Sequence, residues 1–293
     1  PLCANEPDCY PLLRRAADGR PVAVVATDGQ LRYVGRLELV FDEAGAIAAV
    51  DRASRPWPVD DRSLAELDAP PAPDAARLEE QVREAIAREA EVIAHAEFPL
   101  DGSREAVRNG ETNLGNLTAD AIASAARVAF PTLPIRFALR NAGGIRGSIG
   151  EVDPATGRPQ GGPITRLAVR EALRFDDRVV VVTTTRRILV ETLESSLRGA
   201  GTGRGHFPQV SGEVRLVYDP AAPEQVHAVA GGTVTGIAAP GARVRSLRIG
   251  GEAIVEGGRV IDPDASITFA TLGFLVKEDR KSTRLNSSHL GIS

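Results

Sequence analysis

The stretch RVVVVTTTRRILVETLESSLRGA, residues 178–200, passes from one kind of element to another with nothing between. Its first third is a run of valines and threonines, β-branched residues that favour an extended backbone. The remainder reads as a helix, stopped by Gly199 and Gly201. The same alternation repeats outward. Upstream, IRFALR (residues 135–140) reads as a buried strand, and LGNLTADAIASAARVAF (114–130) as a helix that Thr112 or Asn113 can cap. The loop with Gly161, Gly162 and Pro163 leads into the helix TRLAVREAL. Downstream, EVRLVYD, VRSLRIGG and SITFATLGFLV read as strands. Interleaved strands and helices predict an α+β fold of α/β-like mixed character. No internal repeat is visible.

Before this region the pattern changes. Residues 20–51 alternate apolar and polar residues, with breaks at Asp28-Gly29 and Gly45, which predicts an antiparallel β-meander. About sixty residues are few for a complete catalytic core, so this part reads as the tail of a larger domain. DAPPAPD (68–74) is Pro-rich and reads as a linker. Asp74 then caps a helix carrying Leu78, Val82, Ile86 and Ile93 along one stripe, over residues 72–93.

The 293 residues are 43% hydrophobic and 25% charged, the balance of a soluble globular protein. A net charge of −4, with no basic tail or basic helix, offers no argument for nucleic acid or an anionic membrane. No run approaches the roughly 18 apolar residues of a membrane helix. The sequence starts at Pro1, so the lack of a visible signal peptide carries no information about export. Cys3 and Cys9 are compatible with a small-loop disulfide or with two free thiols. Zinc is disfavoured there, because no His or further Cys is nearby.

No HExxH, GxSxG, P-loop or GxGxxG pattern occurs. Of the four histidines, His95 is placed at a helix end, His206 after a Gly-rich turn, His227 in a loop and His289 in a polar tail. Surface or structural roles fit each. Three features could carry binding chemistry. Arg104 and Arg108, four apart, could present two guanidiniums on one face to an anion, or form a solvated face partnered by Glu105 and Glu111. In RNAGGIRGSI (140–149), Gly143 and Gly144 permit a sharp turn or close approach, while Asn141 and Arg146 are hydrogen-bond donors. A ligand loop and a plain turn both satisfy that pattern. Phe175 and Phe274 each end an apolar element, where an aromatic either joins the core or offers a face for stacking.

Taken together, RNGETNLGNLTADAI, RNAGGIRGSI, GPITRLAVREALRF, ILVETLESS and GRGHFPQVSGEVRLVYD follow the order and spacing of the 5′-nucleotidase family's C-terminal domain. The resemblance spans residues 98–276. Residues 20–51 resemble the last strands of that family's metallophosphoesterase domain, and the helix at 72–93 its interdomain helix. It implies a remnant of the first domain over residues 1–66, a linker and its helix over 67–94, and the C-terminal substrate-binding domain over 95–279. In the family the first domain holds two divalent metals and a catalytic His, while the C-terminal domain binds the nucleotide and swings to deliver it. By resemblance, Arg104 and Arg108 contact substrate, and Asn141, Gly143, Gly144 and Arg146 form the NGGGIR-type loop, with Ala142 replacing one glycine. Phe175 and Phe274 match the two aromatics that sandwich the base.

Two departures limit what is implied. The metal-binding motifs of the first domain are not in this sequence, so no catalytic or metal-ligating residue is assigned to it, and the 293 residues alone are expected to be inactive. After Phe274 the family's GGDGY-type stretch is replaced by LVKEDRKSTRLNSSHLGIS, and residues 280–293 resemble translated adaptor sequence. The resemblance therefore implies part of a periplasmic, cell-surface or extracellular metallophosphatase acting on nucleotides, with no nucleic-acid partner and no membrane span. A sibling hydrolase of UDP-sugars or cyclic nucleotides, or a non-catalytic nucleotide-binding module, would share these features.

Overall fold

The computed structural model describes residues 10–27, 31–65, 72–276 and 291–292. Cys3, Cys9, the Asp28-Gly29 break, residues 68–71 of the linker and the tail to residue 290, with His289, lie outside the described residues. The chain divides into two compact units, Pro1–Glu79 and Glu80–Ser293.

The first unit is a set of antiparallel pairs. Leu12–Arg15 pairs with Pro21–Val24, and Leu39–Phe41 with Ile47–Val50. The second hairpin turns at Gly45, whose φ of 74° suits glycine, while Asp42 Oδ1 accepts from the backbone N–H groups of Ala44 and Ala46. The simple meander is corrected in one respect. Tyr33–Arg36 does not pair with its sequence neighbour but reaches past the hairpin to Arg55–Pro58. Register is set by backbone pairing at a distance, which alternation within one strand does not encode. A short helix, α1 (Asp61–Ala65), follows.

Helix α2 (Ala75–Glu89) runs through the junction at residues 79 and 80. It is shorter than the span 72–93. Val92–Ala96 is a strand, antiparallel to Gly162–Thr165, so His95 lies in a strand opposite Pro163 and not at a helix end. VIAHA carries a β-branched pair that fits the pleat, and a partner strand decides the competition with the helix.

In the second unit, α3 (Arg104–Asn109) and α4 (Asn113–Ala129) are divided by a cap. Thr112 Oγ1 accepts from Gly115 N at 3.0 Å, so of the two cap candidates Thr112 serves. Leu114, Thr118, Ile122 and Ala126 of α4 are buried at helical spacing. They share their face with Gly115, Ala119 and Ala123, which keep the helix close to its neighbours. Helix α5 (Arg166–Ala172) is capped by Thr165, and α6 (Arg186–Ser196) by Thr185. Val179–Thr185 and Ser266–Leu272 pair antiparallel along seven residues, with Val179 opposite Leu272. The predicted strand at 135–140 is trimmed to Leu139–Asn141, paired with Pro208–Val210. Val214–Tyr218, Val244–Ile249, Glu252–Glu256 and Arg259–Val260 form a four-stranded sheet. His227 lies in the strand Val226–Ala230, paired with Thr233–Ala239, and not in a loop.

The core takes its aromatics from elsewhere than the candidate site. Phe137 and Phe269 stack with centroids 5.1 Å apart, and both are buried among Leu189, Leu193, Leu247 and Ile254. Glu194 of α6 is buried too, its carboxylate accepting from Arg243 N at 3.1 Å and Val244 N at 2.7 Å. That carboxylate ties the helix to the start of Val244–Ile249, an inner strand of the four-stranded sheet.

Candidate functional site

Arg104 and Arg108 project from α3, whose position is fixed at both ends by polar contacts. At its start, Ser148 Oγ accepts from Gly102 N at 3.0 Å and Asp101 Oδ1 from Ser103 N at 2.9 Å. At its end, the buried Gln209 amide donates to Val107 O at 2.8 Å and Gly110 O at 2.7 Å. These are carbonyls that a helix terminus leaves without a partner in its own ladder. Gln209 Oε1 sits so near Gly115 that a Cβ there would lie 2.0 Å from it, which requires glycine at residue 115.

Neither arginine pairs with Glu105 or Glu111 among the described residues. Glu111 accepts instead from Asn116 at 2.7 Å. Arg108 is 9% exposed and donates through Nη1 to Gly203 O at 3.2 Å. Burial first, then the charges of Arg104 and Arg146, pull its pKa below the usual guanidinium value. Arg108 thus has two cationic neighbours, an arrangement that favours an anion beside it.

The residues 141–146 close the other side. Asn141 ends the strand Leu139–Asn141, and Ala142–Gly144 make one turn of 3-10 helix. Gly205 O receives both Gly143 N at 2.6 Å and Asn141 Nδ2 at 3.3 Å. A Cβ on Gly143 would stand 2.9 Å from that oxygen and 3.2 Å from Gly205 Cα. Glycine is therefore needed here for close approach, at a backbone φ that is not left-handed. Arg146 donates to Gly143 O at 3.2 Å, and its guanidinium carbon lies 5.4 Å from the centroid of the Phe175 ring.

Phe175 is 54% exposed and Phe274 40% exposed. Val179 pairs with Leu272, and Gly273 N donates to Arg178 O at 2.7 Å, so both rings flank the same end of one strand pair. The fold therefore brings Arg108, Arg146, Asn141 and the two glycines into one connected set, with Phe175 against Arg146 and Phe274 at the neighbouring strand end.

Two histidines, His206 and His227, line a cavity of about 260 Å³ that Asn141 also lines. Arg198 Nη1 donates to His227 Nδ1 at 3.0 Å, and His227 Nε2 lies 3.2 Å from both Ser195 Oγ and Gln225 Nε2. His206 Nδ1 is 3.0 Å from Ser196 O. Burial lowers the pKa of both, and Arg198 adds to this at each.

Sequence reading missed Arg140, Gln209 and Gly205. The charge of Arg140 inside an apolar run was the available signal. Gln209 and Gly205 act through residues about a hundred and about sixty positions away in the chain, respectively, which no local pattern reveals. Among the described residues, no three of His, Cys, Asp and Glu group to hold a metal ion, so these residues do not fit a metal pair. Among them, too, no helix is long and apolar enough to cross a membrane.

Residues 92–284 match the family model described as 5′-nucleotidase, C-terminal domain. The chain is 31% identical over 193 residues to the trifunctional nucleotide phosphoesterase protein YfkN of Bacillus subtilis, covering 66% of this chain and 12% of that protein. It is 28% identical to the snake venom 5′-nucleotidase of Gloydius brevicauda, over 72% of this chain and 34% of the relative. The crystal structure of a 5′-nucleotidase precursor from Thermus thermophilus is similar at a TM-score of 0.59 and 28% identity, over 91% of this chain and 45% of that one. The chain thus spans less than half the length of each.

Proposed function

The chain belongs to the 5′-nucleotidase family, and from that premise we propose that residues 104–274 bind the nucleoside part of a nucleotide for phosphate-ester hydrolysis. The arginine cluster beside half-exposed aromatics carries this reading. Arg104, Arg108 and Arg146 share one positive spot whose mutual repulsion an anionic ligand would relieve. Phe175 and Phe274, at one strand end, offer ring faces to a planar base, and Asn141 and the close-packed glycines supply the polar edge between. Stacking is tolerant of base identity, so orientation comes from the polar groups.

In this reading the chain's own residues bind and orient the substrate, fixing the phosphate's direction relative to groups elsewhere in the intact enzyme. Two divalent ions, held outside the residues described above, would supply charge stabilisation for water attack on the phosphate. The venom relative supports export as the setting.

The test is nucleoside binding by the purified chain, followed by NMR. Phe175→Ala should weaken adenosine or inosine binding about tenfold, in keeping with roughly 1–3 kcal/mol per stacked base. Unchanged affinity would refute the stacking assignment. The same preparation should not release phosphate from AMP with added divalent metal, and robust hydrolysis would overturn the division of labour.

A further inference from the structure

Arg140 stands at the boundary of two cavities and has no acceptor among the described residues. One cavity, of about 260 Å³, is also lined by Asn141 and Leu275. The other, of about 380 Å³, is also lined by Gly144, Phe175, Asp177 and Leu272. Arg140 is 5% exposed, its Nε is buried without a partner, and no acceptor among the described residues takes a hydrogen bond from its guanidinium. Its Nη2 packs directly beneath the loop, 2.7 Å from where a Cβ on Gly144 would lie. Burial brings its pKa down to about 10, with the carboxylate of Asp177 opposing the shift. It remains a cation at neutral pH.

A buried guanidinium without an acceptor is costly, and such groups are almost always satisfied by protein, water or ligand. Its place in the fold says which part of a ligand would meet it. In the nucleoside reading the phosphate side is that of Arg108 with its cationic neighbours Arg104 and Arg146. Arg140 lies beneath the loop at Gly144 and lines the cavity that Phe175 and Leu272 also line. A guanidinium donates only, so it selects a base edge that carries acceptors and rejects one that presents a donor.

Building on the nucleoside reading above, we propose that Arg140 is a specificity-determining residue that donates to a keto oxygen on the base edge, favouring 6-oxo purines over adenine. In a 6-oxo purine, O6 and N7 are adjacent acceptors that match two guanidinium N–H groups. Adenine presents N6–H₂ in place of O6 and loses one of those bonds.

Inosine and adenosine differ in this edge, and both are titrated into the full 293-residue chain by calorimetry. Wild type should bind inosine about tenfold more tightly or better. Arg140→Met should bring the two affinities together while retaining weak binding through the rings. Equal affinities in wild type would overturn the proposal whether or not the Met variant folds. So would a preference for inosine that survives in a folded Arg140→Met protein. If wild type binds neither nucleoside, nor IMP nor AMP, the nucleoside reading itself fails and takes this inference with it. If both bind equally, only Arg140's role is refuted.

Discussion

Gln209→Met isolates what a single buried amide contributes to the candidate site. Methionine is close to glutamine in length and volume, so the substitution removes polarity with little cavity. Gln209 is 1% exposed and its Nε2 donates to two carbonyls, Val107 O at 2.8 Å and Gly110 O at 2.7 Å, while Oε1 accepts a long bond from Thr112 N at 3.4 Å. Water cannot reach Val107 O to replace the amide, while Gly110 O is only partly buried and contributes the smaller share. Leaving a buried acceptor unpaired costs about 1–3 kcal/mol, so two carbonyls together predict a loss of roughly 2–5 kcal/mol. For a unit of this size that is a fall in Tm of roughly 5–15 °C. Urea denaturation monitored by circular dichroism gives the free energy directly. Because Gln209 holds the end of the helix that carries Arg104 and Arg108, AMP binding should also weaken more than adenosine binding. A loss below about 1 kcal/mol would refute the reasoning, since the carbonyls would then have found other partners at no cost.

Two further outcomes follow from the same geometry. Gly143→Ala places a Cβ 2.9 Å from Gly205 O, a backbone atom that cannot swing aside, and should cost about 1–3 kcal/mol with a parallel loss of nucleoside affinity. Wild-type Tm and affinity in that variant would show that the loop and Gly205 separate freely. His227 and His206 have pKa values held below the ordinary 6.5 in the folded chain, so between the two values the unfolded chain binds more protons. Their contribution is therefore complete above about pH 6.5 and is lost as pH falls below it toward their folded values. His227→Gln should flatten the pH dependence of urea stability over that window; an unchanged slope would count against the shift at His227.

The candidate site is legible in pieces. Arg104, Arg108, the loop glycines and the two exposed phenylalanines each stand out by residue type and position in an element. Thr112 is legible because capping is local chemistry, settled within a turn or two of chain. The run VIAHA misleads because its helical stripe continues that of α2, and only the partner strand Gly162–Thr165 makes it extended.

What the sequence alone determined is the mixed α+β character, most of the helices and the residue types available for anion and ring binding, since propensity, capping and hydrophobic spacing act over a few residues. What only the tertiary structure decided is which of those residues meet. Arg108 reaches Gly203 across 95 positions, and Gln209 reaches Val107 across 102. Arg140 lies buried beneath Gly144, without an acceptor among the described residues. Those relations follow from how the strands pair and how closely α4 packs, and a pairwise contact between distant residues leaves no periodic trace in the chain that makes it.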